Sequence, residues 1–425
     1  MKSVIGQLIL AGSLVLLAAC GGGSSSDSGG SSKSNRGTGM QTSADPVSYH
    51  DAEKIFPFIT NVVIPEDGRP VVDFQISDSS NIAILDLTAE DIRLIIAKLQ
   101  NNPIGNLAGN WQSYINRIEQ PGVGPGTEAK LQATTESGTS GELTNNFDGT
   151  YQYRFAASVK EIPANIAAQA ETEGLNLDYQ NTLTHRVAIQ FSNAQQAANP
   201  TYDFIPRNGQ IDYIFHLDVT ATANCNNCHD KLAYHGGGRV ETKYCVTCHN
   251  PGSTDANSGN SVDFKQMIHK INMGSALPSV EAGGSYKLWG FNNTEHDYSM
   301  NIYIGDILAC ERCHAGTGSN PGDGSLQLTH QGDNWSEFSQ RSSCGSCHDP
   351  HVQETGVSTF MRHREGSFQH CVSCHGRKAT AGHPTAVVRD GKLPDCGSCH
   401  RVHRASGEGL IVKASLGGLC ASCHG

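Results

Sequence analysis

Two cysteines three positions apart, with a histidine directly after the second, could hold a porphyrin both by its edge and by its iron. The chain repeats this arrangement seven times: Cys225, Cys228 and His229; Cys245, Cys248 and His249; Cys310, Cys313 and His314; Cys344, Cys347 and His348; Cys371, Cys374 and His375; Cys396, Cys399 and His400; Cys420, Cys423 and His424. Cys-x-x-Cys-His is the attachment pattern of c-type haem. The thiols become thioethers to the haem vinyl groups, and the imidazole becomes the proximal iron ligand. Seven covalent haems are therefore expected, each with its iron.

Zinc is the competing chemistry, and Cys228 and Cys245 stand at a spacing that suits a zinc ribbon. The histidines decide against it. His is 19 of 425 residues, so its presence after every Cys-x-x-Cys pair has a chance probability below roughly 10⁻⁹, and a ribbon has no need of it. The motifs also use 14 of the 15 cysteines, leaving only Cys20.

If each iron carries two imidazoles, seven distal histidines are needed as well. Twelve histidines lie outside the motifs, nine of them after residue 218. The positions single out His235 between two motifs, His269 and His296 in the one long gap, and His351, His383 and His403 among the later motifs. The seventh is open among His363, His370, His330 and His216, with His363 preferred because His370 adjoins Cys371. Methionine is the rival ligand, with Met267, Met273, Met300 and Met361 nearby, and it would raise a haem's potential.

The elements that must position these ligands follow from the spacing. Residues 218–425 allow only about 30 residues per haem, too few for separate protein cores. The haems must themselves form the core of a heptahaem cytochrome c domain of loops and short helices. Motif starts fall 20, 65, 34, 27, 25 and 24 residues apart, so the later motifs approach a repeat. Cys344-Gly-Ser-Cys-His-Asp-Pro-His351 is echoed by Cys396-Gly-Ser-Cys-His-Arg-Val-His403.

Residues 45–217 contain no cysteine and alternate apolar with polar positions. Val72, Phe74 and Ile76, then Tyr151, Tyr153 and Phe155, then Val187, Ile189 and Phe191, then Ile211, Tyr213 and Phe215 read as strands. An all-β N-terminal domain, a split barrel or a sandwich, is predicted. The stretch from Ile92 to Leu99 is ambiguous, with helical spacing after a cap at Thr88 but also alternation at Ile92, Leu94 and Ile96; a strand is preferred. Nothing in this region suggests catalysis.

Ahead of it, residues 1–19 read as a signal peptide: Lys2, an apolar run from Val4 to Leu17, then small residues before Cys20. The pattern looks like a lipoprotein signal, with Cys20 lipidated and the protein anchored on a membrane surface rather than spanning it. Residues 20–44 are Gly- and Ser-rich and read as a flexible tether.

The formal net charge is −11. Residues 20–217 hold 12 Lys+Arg against 22 Asp+Glu, a net of −10, and haem propionates would add negative charge to the other half. That balance argues against nucleic acid as a partner. It suits cationic partners or metal cations.

The run Cys225-Asn-Asn-Cys-His-Asp-Lys-Leu-Ala-Tyr-His235-Gly-Gly-Gly-Arg, with Tyr244-Cys-Val-Thr-Cys-His-Asn-Pro and Met267-Ile-His269-Lys-Ile, resembles the OmcA/MtrC family of outer-membrane cytochromes. The order of signal, tether, β domain and haem domain is similar too. The resemblance covers roughly Asp45 to Pro350. It implies a split-barrel β domain, distal ligation by His235, His269 and His296, and a cell-surface lipoprotein. Its partners would be an upstream redox cytochrome or outer-membrane conduit, with minerals, soluble metals or flavins as acceptors. Members of that family usually carry ten haems; this chain has seven motifs, and the part after Pro350 reads as a simpler haem array or a shortened relative.

An electron-transfer protein with non-specific metal reductase activity is therefore the leading expectation. A periplasmic rather than external placement is its variant. The alternatives are a multihaem enzyme acting on a small nitrogen or sulfur substrate, which needs an open iron site, and a filament-forming cytochrome.

Overall fold

A computed structural model describes residues 39–349, apart from 101–108, 193–194, 212–214, 308, 317–324, 338–345 and 348. Cys20 and most of the tether, Cys344, His348, His351, His363, His383, His403 and the last three motifs lie outside the described residues.

Alternating side chains build two antiparallel sheets. The first has the order β1 (Phe56–Val63), β2 (Val71–Ser77), β9 (Thr150–Arg154), β8 (Glu142–Asn145). The second has the order β11 (Thr201–Phe204), β10 (His185–Phe191), β3 (Ile92–Gln100), β4 (Asn110–Ser113), and the short β7 (Glu136–Ser137) also pairs with β3. The sheets share one core. Val72, Phe74 and Ile76 of the first meet Leu94, Ile96, Val187 and Ile189 of the second, all buried. Phe74 stacks on Tyr151 and meets Phe191 edge-on, at ring-centre distances of 5.5 and 6.1 Å. Burying each such side chain contributes about 1.5–3 kcal/mol, which favours closing the two faces on each other. The described strands form no closed barrel.

β3 explains its own ambiguous sequence. Ile92, Leu94 and Ile96 enter the shared core, while Ile95 meets Tyr244 and Cys248, and Ala97 and Leu99 meet Trp111 and Val246 on the opposite face. A strand buried on both sides is apolar at nearly every position, so a helical spacing can be picked out of it. The cap at Thr88 is real but serves a single 3-10 turn, Ala89–Asp91. Both the backbone N–H and the hydroxyl of Thr88 donate to the Asp91 carboxylate, at 2.9 and 2.7 Å.

The strand expected over 211–215 is not seen at its described ends. Ile211 is 45% exposed and neither it nor Phe215 is in a strand. Phe215 instead packs beside Leu99 and Trp111, and its carbonyl accepts a hydrogen bond from the Thr184 hydroxyl at 2.8 Å. Its apolar side chain covers the outer face of the second sheet without pairing.

A helix, α1 (Ala164–Thr172), interrupts the β region. Ile166 and Ala170, one turn apart, pack on Leu131 of β6 (Lys130–Ala133), which pairs with β5 (Asn116–Glu119). Beyond Phe204 the chain turns to loops and short helices: α2 (Thr222–Asn226), α3 (Thr242–Cys248), α4 (Phe264–Met273) and α5 (Pro278–Glu281), then a hairpin of β12 (Lys287–Trp289) and β13 (Glu295–Asp297). Among the described residues no helix is long and apolar enough to cross a membrane.

Candidate haem-binding site

The three motifs described in full share one local geometry. The histidine N–H donates to the carbonyl of the first cysteine in each: His229 to Cys225 at 3.0 Å, His249 to Cys245 at 2.9 Å and His314 to Cys310 at 2.9 Å. This is the four-residue bond of one helical turn, which brings the two sulfurs and the imidazole round to neighbouring positions. Burial pushes the Cys245 thiol up to about 12 and the Cys313 thiol up to about 11. Such surroundings suit a neutral thioether and oppose the thiolate that zinc requires. Among the described residues no three His, Cys, Asp or Glu side chains converge on a metal-sized point.

Two of the predicted distal histidines face proximal ones. The ring centres of His235 and His249 are 5.9 Å apart, and those of His269 and His314 are 6.0 Å apart. A metal–imidazole bond is about 2.0–2.1 Å long and each ring centre lies roughly 1 Å beyond its nitrogen, so two imidazoles on opposite sides of one metal have centres about 6 Å apart. Both pairs therefore fit two-sided ligation of an iron.

The hydrogen bonds aim the rings. Nδ1 of His249 lies 2.9 Å from the Val262 carbonyl, Nδ1 of His314 lies 3.0 Å from that of Val219, and Nδ1 of His269 lies 2.6 Å from that of Lys265. A carbonyl can only accept, so each Nδ1 carries the proton and Nε2 keeps its lone pair for a metal. Burial lowers the pKa of His249 and His314 to about 4. His269 is also lowered, by burial. The neutral imidazole that ligation needs is thus favoured.

The β sheet and the glycine run position His235. Its φ is +53°, followed by Gly236 at +72° and Gly237 at +83°. The left-handed turn closes through paired backbone bonds between Tyr234 and Arg239, at 3.0 and 3.2 Å. Gly238 comes so close to β10 that an added Cβ would lie 2.5 Å from Gln190 Nε2. Arg239 donates to Gln190 Oε1 at 2.8 Å, and its guanidinium sits over the Tyr244 ring at 5.6 Å. His235 is therefore held by the second sheet and by the helix carrying the second motif.

For His269 the support is α4, whose first turn is capped by the Asp263 carboxylate accepting from Lys265 N–H at 3.3 Å.

The motifs are also tied to one another. The Thr242 N–H donates to the Thr222 hydroxyl at 2.9 Å, joining the starts of α2 and α3. The Cys313 carbonyl accepts from the Thr220 hydroxyl at 2.7 Å and from Asn224 Nδ2 at 3.2 Å, joining the first motif to the third. Arg186, buried between β10 and α3, forms a bidentate pair with Asp203 at 2.6 and 2.7 Å and donates to the Lys243 carbonyl at 3.1 Å. None of these positioning residues had a signal in the motif spacing. Their partners lie up to 93 residues away in sequence.

Other histidines have different surroundings. His229 and His296 are exposed, as His235 is, but unlike His235 neither makes a ring contact to another histidine among the described residues; the His296 ring stacks on Tyr298 at 6.4 Å. His216 binds Asp203 through Nδ1 at 2.9 Å, and His330 is exposed. His185 is fully buried, between the Tyr114 hydroxyl and the Leu183 carbonyl, each at 2.9 Å, which marks it as a structural histidine.

Comparison with known proteins agrees along the chain. Residues 58–211 match the OmcA-like N-terminal domain, residues 217–384 match outer membrane cytochrome MtrC/MtrF-like domains II/IV, and residues 386–425 match the doubled CXXCH motif. Multiheme cytochrome MtrC of Shewanella baltica (strain OS185) is 24% identical over 352 residues, 80% of this chain and 43% of the relative. The crystal structure of the outer membrane decaheme cytochrome OmcA aligns with a TM-score of 0.57 at 24% identity, covering 84% of this chain and 47% of that one. The structure of MtrC from Shewanella baltica OS185 aligns at 0.46 and 21% identity over 77% of this chain and 44% of that one. The chain spans less than half the length of these relatives.

Proposed function

Because the chain belongs to the OmcA/MtrC family of multihaem outer-membrane cytochromes, we propose that it transfers electrons between an upstream redox cytochrome or outer-membrane conduit and acceptors outside the cell or in the periplasm. The acceptors proposed are ferric iron, metal oxides and flavins, all of which can take electrons without a shaped pocket. Bound c-type haem supplies one-electron iron chemistry. The chain supplies the covalent attachment, the axial nitrogens and the relative placement of the motifs. Seven haems are proposed, one for each motif from Cys225 to His424.

The observation that carries this reading is the opposition of His235 to His249 and of His269 to His314. His235 with His249, and His269 with His314, would each hold one iron between two protein nitrogens, which would favour electron transfer over chemistry at an open iron. His296, His351, His363, His383 and His403 are proposed as ligands for the remaining motifs. Cys20 is proposed as the lipidated anchor of a cell-surface protein, with residues 20–44 as its tether.

Paramagnetic resonance of the oxidised holoprotein tests the central claim. Low-spin signals from the second and third haems are expected. High-spin iron at those two motifs would reverse the reading towards an enzyme.

A further inference from the structure

Two residues next to ligand histidines meet in the interior. Lys270 follows His269 on α4, and Asp349 follows His348 of the fourth motif. The Lys270 ammonium donates to Asp349 Oδ2 at 2.8 Å, with side chains only 10% and 3% exposed. The Ser279 hydroxyl also donates to Oδ2 at 2.8 Å, and the Ser279 N–H donates to Oδ1 at 3.0 Å. The ammonium lies 5.2 Å from the centre of the Tyr286 ring. Asp349 is thus fastened to both α4 and α5.

We infer that Lys270 and Asp349 form a positioning pair that locks the ligand-bearing segments of the third and fourth haems together and keeps the space between them electrically neutral. The inference rests on the haem reading above. A buried ion pair is weak evidence for stability, because an apolar pair of similar volume often serves as well. What charges contribute here is orientation and field. Asp349 accepts three hydrogen bonds from two helices, so it fits in one arrangement, and each charge sits one residue from an iron ligand. Oxidised haem carries one more positive charge than reduced haem. A lone carboxylate beside it therefore favours the oxidised form, and a lone ammonium favours the reduced form.

The test is redox titration of the full holoprotein carrying Lys270→Met or Asp349→Asn, with covalent haem counted in each. Lys270→Met leaves the carboxylate and should lower a midpoint potential; Asp349→Asn leaves the ammonium and should raise one. Each shift should be about tenfold in the one-electron equilibrium, about 59 mV. The double variant should shift less than either single change, while weakening the magnetic coupling between the two haems. If the single variants fail to mature, the double variant decides alone: lost coupling with an unchanged haem count supports the pairing. Shifts in the same direction, no shifts, or a double variant with unaltered coupling would overturn it. A wild-type protein lacking the third or fourth haem would instead sink the haem reading, and the role of this pair with it.

Discussion

His269 and His314 face each other across 6.0 Å, although one lies on a helix with no motif of its own and the other ends the third motif. The long gap between the second and third motifs thus carries a histidine whose ring is placed opposite a motif histidine.

Replacing His269 with Ala should leave the haem count unchanged and open one iron. A new high-spin signal and carbon monoxide binding in the reduced state are the expected readouts. His235→Ala should do the same at the second motif, since its ring stands 5.9 Å from that of His249. Unchanged spectra in either variant would make that histidine structural only.

Asp203 gives a stability prediction. Burial alone would raise its carboxyl, but the Arg186 charge and the hydrogen bonds from Arg186 and His216 outweigh burial and hold it well below the usual carboxylate range. A depressed folded value contributes stability that is present above the unfolded value, about pH 4, and is lost as pH falls through the folded one. The anchor between β10 and α3 should therefore persist through mild acid. Asp203→Asn leaves Arg186 buried without its partner and should cost about 3–5 kcal/mol. A thermal melt lowered by several degrees at neutral pH checks this.

Covalent stoichiometry can be counted directly. Denatured, fully matured protein should retain seven haems in a pyridine haemochrome assay, and a clearly lower number would remove motifs from the proposal. Cys20→Ser should release the protein from membranes with its haem count intact. Retention after that change would rule out the lipid anchor.

Turnover separates wire from enzyme. Reduced protein should be reoxidised by soluble ferric chelates or oxidised flavin without saturation and without inhibition by cyanide. Selective, saturable reduction of nitrite or hydroxylamine, blocked by cyanide, would favour the enzyme.

Covalent haem chemistry was legible in the sequence because each motif lies within five consecutive residues, and one helical turn is enough to present it. The strands from Val72 to Ile76, Tyr151 to Tyr153 and Val187 to Phe191 were legible for a similar reason: alternation along a strand is a local property set by which face is buried. Ile92 to Leu99 was less clear because burial on both faces erases that alternation. His235 and His269 could be named from position and resemblance, but not assigned to an iron. Which histidine each of them faces depends on where the Gly236–Gly237 turn and α4 place their rings, and that is set by the packed sheets and helices. Arg186 with the Lys243 carbonyl, and Lys270 with Asp349, join segments 57 and 79 residues apart. Their value comes from burial, which strengthens a charge contact and penalises a missing partner, and burial is a property of the tertiary structure.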